Sequence, residues 1–448
     1  MEPTGFRETG SRDAMKRSVS YDASYLISRL GCGAPDGFTN VDLAFARRFV
    51  EAGAARFVRR RRGAPAMMRR GLARRLVAFH EADFSRPGPR GVQVAFSAVR
   101  DALVEGRPFV SPAATIAPVT FDPAAFLADR RADLLRAAIR LSPSDGPIPQ
   151  GALYFAATPF RFENPAEFRW LDRRPDVSPV FLVHDLLPLD HPEFFVPGED
   201  GRFDRRTATA LARARGIVVT SRAVHERLLA EMAHRRVAAV PTLVAPLPSP
   251  FSGIERAGLD DADLARVPYF VMVATIEPRK NHLFLLAIWR RMAEIAAARG
   301  EAVPALVLAG RRGRENEQVI DVLERARFAR DHVIEATGLC DRDLARLIAN
   351  ARALLLPSFA EGYGLPIVEA LSLGTPVVAA DIPVFREVAL GAALHHDVVD
   401  GLGWMRTIRE LTDPTSDTSR RARDLARSFV APTWSGYFDT IETFAGDL

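Results

Sequence analysis

Seven residues separate Glu361 from Glu369 in the run Phe359-Ala360-Glu361-Gly362-Tyr363-Gly364-Leu365-Pro366-Ile367-Val368-Glu369. Glycines bracket Tyr363, which permits unusual backbone angles and lets main-chain amides approach a ligand closely. Pro366 stands where a first-turn proline belongs, so the residues from Leu365 open a helix whose amides and dipole attract an anion. A diphosphate suits that place. Glu361 then lies in the loop and Glu369 about one turn into the helix, so both carboxylates can face one ligand. A carboxylate accepting from vicinal hydroxyls holds a ribose or a hexose well. The stretch from Ser358 to Ala370 is the first candidate site; a structural loop with two surface glutamates is the plain alternative.

A second cluster is Thr275-Ile276-Glu277-Pro278-Arg279-Lys280-Asn281. Arg279 and Lys280 are placed to neutralise a diphosphate as it gains charge. The chain holds just two lysines among 60 basic residues, Lys16 and Lys280. Lysine meets phosphate as a compact point charge, whereas arginine presents a planar fork. Chance retention is the competing account of Lys280.

These segments must be positioned by something, and the pattern around them names it. Apolar runs at 269–275, 305–310, 332–338, 353–358 and 376–380 read as strands. Helical patterns lie between them at 315–327, 341–350 and 365–373, and another begins near Asn281 as N-cap. Alternating units of this kind build a parallel sheet. The first half repeats the style, with strands at 152–157, 180–184 and 217–221 and helices at 41–50 and 207–215. At 448 residues the chain exceeds the roughly 250–300 at which one core stops growing. The expected fold is α/β, with two doubly wound halves facing a cleft. The expected division is a flexible extension at 1–20, a first domain at 21–250, a hinge at 251–267, a second domain at 268–431 and a terminal helix at 432–448. Open parallel sheets bind ligands at the carboxyl ends of their strands. That rule selects the residues after each strand, including Gly310, Thr337 to Leu339, Phe359 to Gly364, and His184 with Asp185.

Bulk composition narrows the function. The chain is 48% apolar and 26% charged, as soluble globular proteins are. No apolar run reaches the ~18 residues that span a bilayer, and the first twenty residues lack a signal-peptide core. Two cysteines, Cys32 and Cys340, offer neither a disulfide framework nor a metal cluster. The expected compartment is the cytoplasm. Nine arginines and no acid lie between Arg56 and Arg75. A solvated surface, an anionic membrane surface at the inner face and nucleic acid are the three readings; the absence of aromatic interleaving leaves nucleic acid out of the expected partners. No Gly-x-Gly-x-x-Gly follows a strand with an acid about 20 residues on, which argues against a dinucleotide oxidoreductase. Asp261-Ala262-Asp263 has an Asp-x-Asp form, but it reads better as helix-start acids.

The motifs together resemble a retaining glycosyltransferase of family 4 with the GT-B architecture. The resemblance runs from about Tyr269 to Asp397. It rests on Glu277 to Asn281, the strand end Leu308 to Gly310, Gly338 to Leu344, and the Glu361–Glu369 block. More loosely, Val183 to Pro188 with His191-Pro192-Glu193 resembles bacterial mannosyltransferase-like members, and Gly31, Gly33 and Gly37 resemble a glycine loop near donor and acceptor. The resemblance implies a catalytic set of Glu361, His184, Lys280 and Arg279. It implies donor contacts from Glu369, Gly362, Tyr363, Gly364, Leu365, Gly310, Thr337, Leu339 and Gly37. Many relatives carry Gly-Arg after the first strand of the second domain; Ala274-Thr275 stands here, and Arg279 is expected to take over that charge. The implied reaction moves a hexose, with mannose the favoured one, from a nucleoside diphosphate sugar (a GDP-sugar before a UDP-sugar) to a glycan or polyprenyl-linked acceptor. It proceeds with retention and needs no metal or cofactor, and it belongs to surface polysaccharide assembly. The alternatives are an epimerase or phosphorylase on the same fold, or a silent polyanion- or membrane-binding protein.

Overall fold

The computed structural model describes residues 17–32, 37–53, 55–61, 64–84, 96–106 and 123–448. Among the described residues two sheets organise the chain. The first contains β1 (Val19–Asp22), β2 (Ala55–Arg59), β3 (Ala66–Met67), β4 (Leu153–Ala156), β5 (Ser178–Val183), β6 (Gly216–Val219) and β7 (Thr242–Val244), in the order β3-β2-β1-β4-β5-β6-β7. All its pairings are parallel except β2 with β3. The second contains β8 (Tyr269–Val273), β9 (Ala305–Ala309), β10 (Val333–Ala336), β11 (Ala353–Leu356), β12 (Val377–Ala380) and β13 (Leu394–His396), wholly parallel in the order β10-β9-β8-β11-β12-β13. Both sheets thus run outward from their first strand in two directions, as doubly wound sheets do. Buried on both faces, such strands read as unbroken apolar runs: Leu354, Leu355 and Leu356 are each 1% exposed or less.

Several expectations need correction. Residues 1–16 lie outside the described residues, but 17–20 are not a flexible extension. β1 begins at Val19, between β2 and β4, and Arg17 donates to the Gly151 carbonyl at 2.9 Å. The helix expected at 315–327 is two helices, Glu317–Arg325 and Arg327–His332, broken where Ala326 takes an extended ψ of 131°. Asn281 does precede a helix, His282–Arg299, but without a side-chain cap; its own φ is 61°.

The arginine stripe is not one surface. Arg59 is buried, and its guanidinium donates to the carbonyls of Arg140 (2.7 Å) and Ser142 (2.5 Å). Arg60 is buried too, paired with Asp22 at 2.7 Å and set over the rings of Phe160, Phe162 and Phe168. Arg56, Arg69, Arg70, Arg74 and Arg75 remain exposed. The helix Trp434–Gly446 returns to the first domain. There Phe438 meets Phe45 edge-on at 5.1 Å and Glu442 pairs with Arg48 at 3.1 Å. Among the described residues, no helix is long and apolar enough to cross a membrane.

Candidate functional site

In the second sheet the direction of winding switches between β8 and β11, and the segments following those two strands meet in space. Asn281, held in the left-handed region, turns its amide to donate to the Pro357 carbonyl at 3.1 Å. Phe359 N–H donates to the Arg279 carbonyl at 3.0 Å, so the two loops are stitched together. Arg279 also donates to the Ala360 carbonyl at 3.0 Å. Between the loops sits Glu361, one oxygen receiving Arg279 Nη1 and the other Lys280 Nζ. Burial pushes the Glu361 carboxyl up, but the two cations overcome it and hold it at about 2. Burial pushes the Lys280 ammonium below its usual range, with Glu361 opposing. The Arg279 guanidinium feels the same burial, and Glu361 outweighs it. Asp185 and Glu277 also lie within electrostatic reach of Arg279, and Glu277 within reach of Lys280, so the two cations sit among several acids.

Pro366 opens the helix Leu365–Ser372 as expected, after Gly364 at φ 104° and with no side-chain cap. Glu369, within that helix, is 7% exposed, and its Oε2 has no hydrogen-bond partner. Burial, with Asp341 adding like-charge repulsion, pushes its carboxyl up to about 8. Asp341 itself lines a cleft of about 430 Å³ between the domains, with Asn40 and Arg47 on the opposite wall. One glutamate is therefore held ionised by cations and the other neutral by burial, within a single segment.

The remaining expected residues divide. Gly362 sits at the domain contact: a Cβ there would meet the His184 carbonyl at 2.5 Å and the Asp185 Cβ at 2.6 Å. His184, after β5, points Nε2 at the Ala157 carbonyl at 3.0 Å, which requires the proton on that nitrogen. Its ring meets Phe38 edge-on at 4.5 Å, beside Gly37, which starts the helix Gly37–Ala52. Gly33 lies outside the described residues. Tyr363 does not turn its ring to the donor side: the ring is buried and its hydroxyl donates to the Leu247 carbonyl at 2.8 Å, leaving only its backbone for a ligand. Gly310 is needed for packing, since a Cβ would lie 1.9 Å from the Ala274 carbonyl. Thr337 donates to the Gly310 carbonyl at 2.9 Å, and Leu339 is half-buried against the core. Asp261 caps the helix Ala262–Arg266 and pairs with Arg100 and Arg346 at 2.9 Å each, as helix-start acids do.

Three contacts across the cleft escaped the sequence reading. Ser221 and Thr220 donate to the Gly362 carbonyl at 3.0 and 3.3 Å. The Glu387 carboxylate accepts from the N–H groups of Arg222 (2.7 Å) and Ala223 (3.3 Å). Phe194 and Phe359 stack 5.5 Å apart at 12°. Ser221 before a helix is a recognisable cap signal; nothing in the sequence says that a glutamate from the other domain shares that helix end.

The architecture is the GT-B fold. Anabaena Alr3699/HepE, solved in complex with UDP, superimposes with a TM-score of 0.55 over 96% of this chain and 97% of its own, at 16% identity. A sucrose-phosphate synthase from Thermosynechococcus elongatus gives 0.52 over 96% and 95%, also at 16% identity. Residues 267–403 match the family model of glycosyl transferases group 1. The serotype-specific mannosyltransferase WbdA of Escherichia coli is 30% identical over 225 residues, 47% of this chain and 26% of that protein. The Escherichia coli O-antigen chain mannosyltransferase B is 35% identical over 173 residues, 38% of this chain and 44% of that protein. The chain thus spans about a quarter of the first relative and less than half of the second.

Proposed function

We propose that the chain is a glycosyltransferase that moves a hexose from a nucleoside diphosphate sugar to a glycan or lipid-linked acceptor, with retention, in surface polysaccharide assembly. The observation that carries this reading is Glu361, clamped by Arg279 and Lys280 eight residues before a neutral Glu369 at the second sheet's switch point. In this reading Arg279 and Lys280 bind the diphosphate and stabilise the charge it gains as the glycosidic bond breaks. Glu361 takes up hexose hydroxyls, Glu369 the ribose hydroxyls, and His184 approaches the sugar from the first domain. The acceptor hydroxyl attacks the face from which the diphosphate leaves, and its proton passes to the departing phosphate. Positioning and charge stabilisation suffice, with no metal. The mannosyltransferases among the relatives support mannose as the hexose; the donor in this reading is a GDP-sugar before a UDP-sugar, drawn from the cytoplasm.

Glu361→Ala tests the assignment. It leaves Arg279 and Lys280 buried without their carboxylate, so stability falls by about 3–5 kcal/mol, the usual loss when a buried pair loses one partner. Nucleoside diphosphate restores part of it by pairing the cations, while sugar transfer disappears. Wild-type turnover by this variant in a radiolabelled-donor assay removes the reading. Peripheral membrane contact belongs to the same proposal and rests on the exposed arginines alone. Changing Arg69, Arg70, Arg74 and Arg75 to Gln abolishes flotation with anionic liposomes; flotation unaffected by the change assigns that surface to solvent.

A further inference from the structure

The helix Arg222–His234 of the first domain begins at the cleft, and its first turn has donors to satisfy. Ser221 before it accepts from the Val224 N–H at 3.2 Å, which leaves the N–H groups of Arg222 and Ala223 with no partner inside the helix. Glu387, 165 residues beyond Arg222 and in the second domain, takes both. One carboxylate oxygen accepts from Arg222 at 2.7 Å and the other from Ala223 at 3.3 Å. A negative group at the positive end of a helix gains from the dipole as well as from the two bonds.

Glu387 belongs to the helix Pro383–Ala389, and that helix has a second attachment. Phe385 is fully buried against Gly364, where a Cβ would meet its ring at 2.7 Å. Residues two apart on a helix point to different sides. The helix is therefore a strut: Phe385 holds the Glu361 loop of its own domain, and Glu387 holds the other domain. Beside the strut the loop touches the first domain directly. Ser221 donates to the Gly362 carbonyl at 3.0 Å, and the Thr220 hydroxyl lies 3.2 Å from the His184 carbonyl and 3.3 Å from that of Gly362. Glu387 thus fixes the helix end from which Ser221 and Thr220 reach the loop. Water replaces each of these bonds when the domains part, so they bias closure without locking it.

We propose that Glu387 is a positioning residue: docked on the helix Arg222–His234, it holds the Glu361 loop against His184 in the geometry that sugar transfer needs. The inference rests on the glycosyl-transfer reading for what that geometry serves; the docking between the domains does not. A shift of about 1 Å between reacting groups costs on the order of a hundredfold in rate. An acid that sets the spacing of the two domains therefore governs turnover without touching a substrate.

Hydrogen–deuterium exchange on the full chain, read by mass spectrometry, tests this in Glu387→Ala and Glu387→Gln. In Glu387→Ala exchange quickens about tenfold at Arg222 and Ala223 and, across the interface, in residues 359–364. Glu387→Gln keeps a carbonyl for the Arg222 N–H but offers Ala223 a donor instead of an acceptor, so it falls between. Both variants bind GDP and UDP at wild-type stoichiometry and within about twofold of wild-type affinity, which shows that the second domain is folded. Release of GDP from GDP-mannose and of UDP from UDP-glucose, with methyl α-mannopyranoside as acceptor, falls at least about tenfold in kcat at unchanged donor KM. If Glu387→Ala fails the nucleotide check, Glu387→Gln carries the comparison. Wild-type exchange in residues 359–364 leaves Glu387 a local cap and overturns the proposal, and so does wild-type turnover by the variant. A wild type that uses neither donor overturns the glycosyl-transfer reading instead, and the exchange result still decides the docking.

Discussion

Glu369 is neutral at pH 7 with its carboxyl at about 8, and a neutral carboxyl is a poorer acceptor for hydroxyls than a carboxylate. In the proposed reading, ribose hydroxyls donating to it favour the ionised form, so donor binding lowers its pKa and releases a proton. Nucleoside diphosphate affinity therefore rises with pH up to about 8 and then levels. Calorimetry in buffers of different ionisation enthalpy measures the released proton, and Glu369→Gln flattens the difference; equal proton release by that variant rules the assignment out. Stability of the free protein runs the other way. The folded pKa lies above the ordinary 4.5, so this group's contribution is full below about 4.5 and lost as pH rises through about 8. That span amounts to a few kcal/mol. Residue types and spacing carried this much: Glu361, Glu369, Arg279 and Lys280 were legible, because only their kinds and their strand-end positions were needed. Orientation was not. Nothing in Gly-Tyr-Gly says that the Tyr363 hydroxyl reaches Leu247, and nothing in a row of arginines says that Arg60 lies inward beside Asp22.

Elements were legible in proportion to their burial and length. β8, β9, β11 and β12 begin within a residue of the expected starts, since each is a continuous apolar run between helices with a polar face. β1 escaped because Val19–Asp22 follows a polar stretch and ends on Asp22, which is held by Arg60 and by the Tyr154 hydroxyl, each at 2.7 Å. β13 and β7 are three residues each, too short to show a period. Where two strand ends press together, the sequence marks the place with glycine. Gly310→Ala drives a methyl into the Ala274 carbonyl, a backbone atom with no rotamer to yield. Such overpacking costs about 1–3 kcal/mol or more. Urea unfolding reads it as a lowered midpoint with an unchanged slope; a midpoint within error of wild type shows that the strand ends are free to part.

At the scale of the whole molecule, one apolar cluster runs through both domains, polar and aromatic contacts add to it, and Gly362 is a tight point among them. Gly362→Ala leaves each domain intact but places a methyl 2.5 Å from the His184 carbonyl, so the domains separate. Small-angle scattering then reports a larger radius of gyration, while nucleoside diphosphate still binds the second domain and turnover falls at least about tenfold. An unchanged radius would mean that His184 and Asp185 move aside instead. The return of the helix Trp434–Gly446 to the first domain has a consequence for biosynthesis. Phe45 and Phe49 are made early, yet the rings that cover Phe45, Tyr437 and Phe438, are translated after the entire second domain. The second domain can close as soon as it leaves the ribosome, whereas the first waits with a patch of aromatic surface bare. Its window for chaperone capture or aggregation lasts as long as the translation of everything between.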